Sequence, residues 1–168
     1  VFRTFQGWTA LTEQGPNDGT LQLIPIVKGM AFVLTRALLD DVPENELCGS
    51  KAGKALSINE KYHSLLLEGL VSIPKMNPGD TIWWHPDVVH AVEEKHQGKN
   101  YSNVIYVGAT PYCKKNIDYI KKQSKKFIEG KSPPDFAPED YEVNYKGRVT
   151  ANDLSELAKK QLGLVDWN

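Results

Sequence analysis

GDTIWWHPDVVH, residues 79–90, combines a tight turn, a short strand and two histidines. Thr81–Trp84 is β-branched and aromatic, and the turn-forming Gly79–Asp80 precedes it, so the segment predicts a strand with a fixed start. His85 and His90 flank the turn that follows. A metal needs an imidazole lone pair at a fixed range and angle, with water limited by apolar neighbours, and a strand end beside two tryptophans provides that. The local pattern leaves two interpretations open: a metal ligand, or a hydrogen-bonded histidine in a packed aromatic core.

Further strand signals lie on both sides of this segment. Val1–Leu11 alternates and contains aromatic residues, and the turn formers of Glu13–Gly19 connect it to Thr20–Ile26. We expect these two strands to form a hairpin-like pair. Val71–Pro74 is expected to be extended, and Ser102–Ala109 is the last clear strand.

Helical patterns interrupt and then follow the strands. Val27–Asp41 has apolar residues at helical spacing, and an S-x-x-E capping box at Ser57–Glu60 begins a second helix that runs to Leu70. A basic third helix spans Lys114–Gly130. A final helix, capped by Thr150, spans 150–163. The residues expected to face inward on the first and last helices are Met30, Val33, Leu34, Ala37, Leu38, Leu154, Leu157, Ala158 and Leu162.

Composition limits the classes of function. The chain has 168 residues and a net charge of −1, which suits one globular domain and gives no long-range attraction to nucleic acid or to a membrane. Cys48 and Cys113 are widely separated, as in proteins of a reducing compartment, and we expect a cytoplasmic protein. The lysine-rich third helix predicts a solvated face; the alternative is a docking module for an acidic partner, whose binding would fall with salt.

A motif around His90 resembles the distal-histidine motif of the phytanoyl-CoA dioxygenase-like branch of iron(II)/2-oxoglutarate oxygenases. In that branch a Gly-Asp turn leads a strand, and the second iron histidine stands ten positions after the aspartate, as His90 does after Asp80. Upstream, GWTALTEQGPNDGTLQLIP also resembles that branch. The matching positions are Trp8, Ala10, Leu11, Gly19, Leu21 and Pro25.

Nearly the whole chain is similar to the microbial family called domain of unknown function 1479. The fragments that carry this resemblance are FQGWTAL, NDGTLQL, VSIPK, GDTIWWHPDVVHAVE, YSNVIY and SPPDFAPEDYE. The resemblance implies a mainly β fold with helical inserts: residues 1–111 as the C-terminal half of a double-stranded β-helix (jelly-roll, cupin-like) barrel, and residues 112–168 as a helical extension.

The implied function is that of a non-haem iron(II) dioxygenase, with 2-oxoglutarate as the expected co-substrate and a small organic molecule as the substrate. Such a site has a facial triad of two histidines and one carboxylate. His90 would be the distal iron ligand. Trp8, Trp84 and His85 would contact the substrate pocket, with Trp83 in support.

Two features depart from the family pattern. No H-x-D or H-x-E motif precedes Trp8. His85-Pro86-Asp87 has the H-x-D sequence, but it is so close to His90 that a triad formed by these residues would be sterically crowded. We therefore expect the chain to be part of a longer protein, whose N-terminal remainder would be its partner. Tyr101 also stands where the branch has a co-substrate arginine; the candidates for that role are Arg3, Gln6, Lys99 and Ser102.

The remaining histidines have simpler interpretations, and one alternative function stays open. His63 lies among leucines and is expected to be structural, whereas His96 lies in a polar loop and is expected to be solvated. The alternative function is a non-catalytic cupin that binds a sugar or an organic acid, because this fold hosts both classes.

Overall fold

The computed structural model describes residues 1–51, 56–139 and 141–167, and within them two strands are followed by two α-helices, four strands and two more α-helices. The strands are β1 (Phe5–Ala10), β2 (Leu21–Leu23), β3 (Val71–Ser72), β4 (Thr81–Trp84), β5 (His90–Val92) and β6 (Val104–Ala109). The helices are α1 (Val27–Arg36), α2 (Glu60–Leu67), α3 (Lys114–Glu129) and α4 (Glu156–Gln161). The chain divides into two units, one of Thr4–Ala109 and one of Val1–Arg3 with Thr110–Asn168.

The first sheet of the larger unit has the order β4-β1-β6 and is antiparallel throughout. Gln6 lies opposite Trp84 in its register, and Trp8 lies opposite Ile82. Directly opposed residues of an antiparallel pair project to the same face, so these four side chains share one face of the sheet. Gly7 allows the close approach of β1 and β4, because a Cβ there would lie 2.4 Å from the Ile82 carbonyl oxygen.

The second sheet has the order β3-β2-β5 and is also antiparallel. Leu23 of β2 lies opposite His90 of β5. Glu93, directly after β5, holds this sheet to the preceding loop: its carboxylate accepts hydrogen bonds from the backbone N–H groups of Asn17 and Thr20 and from the Ser72 hydroxyl.

One apolar cluster contains residues from both sheets. Its buried members are Trp8, Ala10, Leu21, Ile73, Met76 and Trp84, with Leu23, Ile82 and Val104 packed against them. The aromatic and branched side chains that alternate along β1 and β4 therefore form the main core of this unit.

A smaller helical region of the same unit has its own cluster. Val42, Cys48 and Tyr62 are buried there, and Ala37 packs against them. The Arg36 guanidinium ties α1 to α2 by donating to the Tyr62 carbonyl oxygen at 2.9 Å.

The other unit is helical. α3 ends at Gly130 in a left-handed conformation (φ 70°), which glycine adopts without a Cβ penalty. The Arg148 guanidinium donates to the carbonyl oxygens of Phe127 and Ile128 in the last turn, where carbonyls lack the i+4 N–H partner of the helix interior.

The sequence-based predictions of β4, of α3 with its terminal glycine, and of the turn at Met76–Asp80 are confirmed. The predicted pairing of Val1–Leu11 with Thr20–Ile26 is wrong: β1 pairs with β4 and β6, and β2 pairs with β3 and β5. Strand pairing across long sequence separations leaves no local signal, so the proximity of the two segments in sequence was misleading.

Helix boundaries account for the other corrections. α1 ends at Arg36 instead of continuing to Asp41, and α2 is capped by Asn59, whose side chain accepts from the Tyr62 N–H, instead of by Ser57. The predicted final helix is two pieces, a 3-10 turn at Ala151–Asp153 with Thr150 as its cap, and α4 capped by Ser155. The Ser155 side chain accepts a hydrogen bond from the Ala158 N–H and so acts as a second N-cap, which divides the predicted helix. Three leucines predicted to face inward are exposed: Leu34, Leu38 and Leu157.

The jelly-roll barrel stays a prediction, since the described strands form two three-stranded sheets. Within the described ranges, no helix has both the length and the apolar character needed to cross a membrane.

Candidate functional site

His90 is the first residue of β5, and its ring orientation is set by a local backbone contact. The Nδ1 atom lies 2.7 Å from the carbonyl oxygen of Val88, two residues earlier. A carbonyl oxygen can only accept, so Nδ1 carries the proton and donates it. The neutral ring then has its lone pair on Nε2.

Gln6 of β1 occupies the position in front of that lone pair. Its side-chain Nε2 lies 3.2 Å from His90 Nε2, and the amide N–H is the donor in this pair. The contact joins residues 84 positions apart in the sequence, one from each sheet. The second sheet therefore directs a basic imidazole nitrogen at a strand of the first.

Trp84 forms the apolar side of the site. Its ring centroid lies 5.7 Å from that of His90, with the planes tilted by 58°. Trp84 is buried in the main core with Trp8. Its indole Nε1–H has no hydrogen-bond partner among the described residues. Buried donors in native structures are usually hydrogen-bonded to protein or to ordered water.

The donor chemistry of His90 fits one ligand of a metal ion. Metal-bound histidines commonly donate their other ring N–H to a backbone carbonyl, which fixes the tautomer, and the Val88 contact does this here. The Gln6 amide would have to turn away before a metal could reach Nε2. In the ranges that the structure describes, no group of three histidine, cysteine or carboxylate side chains is placed to hold a metal.

His85 lies on the turn before β5. Its ring packs edge-on against Phe5, with centroids 6.1 Å apart, and its Nδ1 accepts from the Asp87 backbone N–H at 3.2 Å. The Asp87 carboxylate is 3.7 Å away from the same nitrogen. His85 and Asp87 thus contact each other within their own turn.

The other predicted co-substrate contacts have separate environments. The Ser102 hydroxyl donates to the Asp18 carbonyl oxygen at 2.7 Å, and Lys99 is exposed in the adjacent loop. Arg3 belongs to the helical unit. Of the predicted site residues, the structure joins Gln6, Trp84 and His90 by direct contacts and buries Trp8 in the core next to Trp84.

Two contributors to this region were missed by the sequence analysis. The Val88 carbonyl orients His90, but every residue has a carbonyl, so no sequence signal could have indicated it. Glu93 organises the sheet that contains His90, and its position directly after a strand was the available hint. Burial acts to raise the pKa of Glu93, but the hydrogen bonds from Ser72, Asn17 and Thr20 outweigh it and hold the pKa below the usual 4.5.

Two antiparallel sheets with a common apolar core, and an oriented imidazole beside a buried tryptophan, define a unit of mixed sheet and helix with a candidate ligand-binding site. Residues 1–164 match the Gig2-like family, and the chain belongs to that family. This assignment agrees with the resemblance to domain of unknown function 1479, because that designation is given to a Gig2 protein of Candida albicans.

Three relatives illustrate the range of the similarity. The uncharacterised protein YbiU of Escherichia coli K12 is 49% identical over 164 residues, which is 98% of this chain and 39% of YbiU. The crystal structure of a "Putative Oxidoreductase" from Salmonella typhimurium LT2 is 48% identical, with a TM-score of 0.88 over 97% of this chain and 39% of that one. The GlcNAc-inducible Gig2 of Candida albicans is 28% identical, with a TM-score of 0.82 over 100% of this chain and 42% of that one. The chain therefore spans about two fifths of the length of its relatives.

Proposed function

We propose that this chain carries the distal iron-binding histidine, His90, of a non-haem iron(II) dioxygenase that oxidises a small organic substrate with 2-oxoglutarate as co-substrate. The oxidoreductase name of the Salmonella relative supports the broader class of reaction. The iron and 2-oxoglutarate assignments rest on the resemblance of the Asp80–His90 segment to the phytanoyl-CoA dioxygenase-like branch.

The observation that carries the proposal is the tautomer of His90. Its Nδ1–H is bound to the Val88 carbonyl, so the Nε2 lone pair is the group that the second sheet presents. Among the described residues, the hydrogen-bond partner of Nε2 is the side-chain amide of Gln6, and rotation of that amide would leave the nitrogen free to bind a metal.

The neighbouring residues have roles that follow from their positions. Trp84 covers one side of the His90 ring, and Trp8 is buried in the same core as Trp84. The Gln6 amide can donate to a carboxylate once it has left Nε2. Bound iron would supply the oxidation chemistry, and the residues of this chain would hold and orient the reactants.

Anaerobic loading of the intact protein with iron(II), followed by measurement of succinate formed from 2-oxoglutarate, tests this function. His90→Ala should lower both iron retention and succinate formation by about 100-fold or more, because a metal ligand contributes at least as much as the groups that hydrogen-bond to metal ligands, whose loss costs about 10–100-fold.

His96→Ala is the matched control, since His96 is exposed on a loop outside this site. It should leave both quantities unchanged. Equal turnover in the His90→Ala protein and the unaltered protein would contradict the assignment. If the unaltered protein retains iron that the His90→Ala protein loses, but forms no succinate, 2-oxoglutarate would be excluded as the co-substrate and His90 would stay a ligand.

A further inference from the structure

The first sheet has β4 at one edge and β6 at the other. β4 has four residues, begins after Asp80 and is followed closely by Pro86, whereas β6 has six residues with neither a charge nor a proline. Proteins protect the free edge of a sheet with short strands, charged side chains and prolines. β4 has these features of a natural edge. β6 lacks them and has the composition of an interior strand.

Alternate residues of β6 direct their backbone polar groups away from β1, which is the strand that pairs with β6 in the part of the chain that the structure describes. The Leu11 N–H donates to the Asn103 carbonyl oxygen at 2.9 Å, and this hydrogen-bonded pair sets the alternation along the two strands. The N–H groups of Ile105 and Val107 therefore point to β1. The N–H groups that point to the free edge are those of Val104, Tyr106 and Gly108.

The side chains of β6 are also incompletely covered. Ile82, Trp8 and Tyr106 lie opposite one another across β4, β1 and β6, on the face that contains the core. Trp8 is 4% exposed but Tyr106 is 77% exposed, so the apolar layer that covers Trp8 stops before β6. On the other face of the sheet, Ile105 is 55% exposed. β6 thus exposes large hydrophobic side chains on both faces of the sheet.

A neighbouring strand would account for the exposed backbone and the exposed side chains together. Its own N–H and C=O groups would pair with those at the free edge of β6, and its side chains would extend the apolar layer beyond Tyr106. The backbone groups of a helix are occupied by hydrogen bonds within the helix. An extended segment is therefore the occupant that fits this edge.

The lengths of the relatives indicate a source for such a strand. The chain covers 39% of YbiU and 42% of the Candida Gig2, so about three fifths of each relative lies outside the matching region. Polypeptide of that length can supply a further strand without a second copy of the chain.

We propose that β6 is an interior strand of a wider sheet in the intact protein, and that its free edge pairs with a strand from the polypeptide outside residues 1–168. The partner strand has a hydrophobic side chain next to Tyr106 on the core face. The proposal does not depend on the iron site.

Amide hydrogen exchange of the intact protein, followed in ¹H–¹⁵N spectra and corrected for intrinsic rates, tests this pairing. The Tyr106 and Gly108 amides should exchange as slowly as the Ile105 and Val107 amides, because all four would be hydrogen-bonded. A free edge would instead give an alternating pattern, in which Tyr106 and Gly108 exchange about tenfold faster or more, the worth of one hydrogen bond. That alternating pattern would overturn the proposal.

Proline variants of the intact protein test the same N–H group by its removal. Tyr106→Pro should lower the melting temperature by about 5 °C or more relative to Tyr106→Ala, which loses the same ring but keeps the N–H. Thr81→Pro is the matched control, because it lies at the start of the edge strand β4 and should shift the melting temperature by less than about 2 °C relative to the unaltered protein. Equal melting temperatures of the Tyr106→Pro and Tyr106→Ala proteins would contradict the proposal.

Dilution distinguishes the proposed strand from a second copy of the chain. Light scattering gives the oligomeric state, and exchange of the Tyr106 amide is measured again in a sample diluted about 100-fold. A strand of the same polypeptide should keep this amide protected in the monomer. Protection that disappears as a dimer dissociates would assign the edge to a second copy and overturn the proposal.

Discussion

His90 and His63 occupy two regions of one unit and present opposite chemistry. In the sheet region, Nδ1 of His90 donates to the Val88 carbonyl, and the ring offers a lone pair at Nε2. In the helical region, Nδ1 of His63 accepts from the Asn59 N–H, and the ring offers a proton at Nε2. The first arrangement suits a metal ion, and the second leaves a buried donor without a partner among the described residues.

The difference shows that the backbone partner of Nδ1 decides whether the ring presents a lone pair or a proton at Nε2. The surroundings agree with this division. His90 is exposed at a strand end beside Trp84, whereas His63 is enclosed by α1, α2 and the Cys48 turn (Leu47–Gly49). Variants that perturb one region while leaving the other intact distinguish the contributions of the two histidine environments.

The largest effect on stability is expected in the sheet region, at Glu93. Glu93→Ala leaves the N–H of buried Thr20 without its carboxylate and should lower the free energy of unfolding by about 2–3 kcal/mol, the usual worth of hydrogen bonds to a charged group. Urea denaturation measures it, with the exposed neighbour Glu94→Ala as a control that should change stability by less than about 0.5 kcal/mol.

The same carboxylate gives the sheet region its acid sensitivity. The pKa of folded Glu93 lies below 4.5, so its contribution is present above pH 4.5 and is lost as the pH falls through the folded pKa. The Glu93→Ala protein should not show this loss of stability at low pH. Equal stabilities of the Glu93→Ala and Glu94→Ala proteins would show that Glu93 does not organise the sheet.

The next effect belongs to the helical region and begins at a higher pH. Because the folded pKa of His63 is below 6.5, the unfolded chain binds the proton more readily, and stability should fall as the pH drops below 6.5 until the folded pKa is reached. The free energy of unfolding can change by up to about 1.4 kcal/mol per pH unit, which is the value for a difference of one bound proton between the folded and unfolded states.

Denaturation of the His63→Phe protein across this range should show the slope removed. The exposed His96→Ala protein should keep it. A slope that persists in His63→Phe would place the titrating group elsewhere.

The smallest effect tests how the helical region is assembled. Asn59→Ala should cost about 1 kcal/mol through loss of the α2 cap. Asn59→Asp keeps the capping oxygen but cannot donate to the Cys48 carbonyl, so it should retain most of that stability while loosening the Cys48 turn. Thermal unfolding measures the change in stability, and the rate at which Cys48 reacts with a small thiol reagent measures the loosening of the Cys48 turn.

The fold was predictable where a signal is local. Thr81–Trp84 was located correctly because a Gly-Asp turn begins it, and α3 because its stripe of apolar residues ends at Gly130. The partners of β1 were not predictable, since pairing with β4 and β6 depends on packing around Trp8 and Trp84. Asn59 was missed as a cap because Ser57–Glu60 matched a stronger sequence signature.

The candidate site was predictable in part for the same reason. His90 and Trp84 stand in one motif, and Gln6 was selected as a possible hydrogen-bonding contact of the co-substrate; the structure brings the three together. The tautomer of His90 depends on a main-chain carbonyl, and the unpaired Nε2 of His63 depends on tertiary burial. Neither property can be read from residue types.

Crystallography of the intact protein after anaerobic loading with iron(II), with data at the iron absorption edge, tests the central claim most directly. The account predicts an anomalous peak about 2.0–2.2 Å from His90 Nε2, the usual range for a first-row metal on imidazole, with the Gln6 amide turned away and the Val88 contact retained. An iron peak at other residues, with Gln6 still bonded to His90, would contradict it.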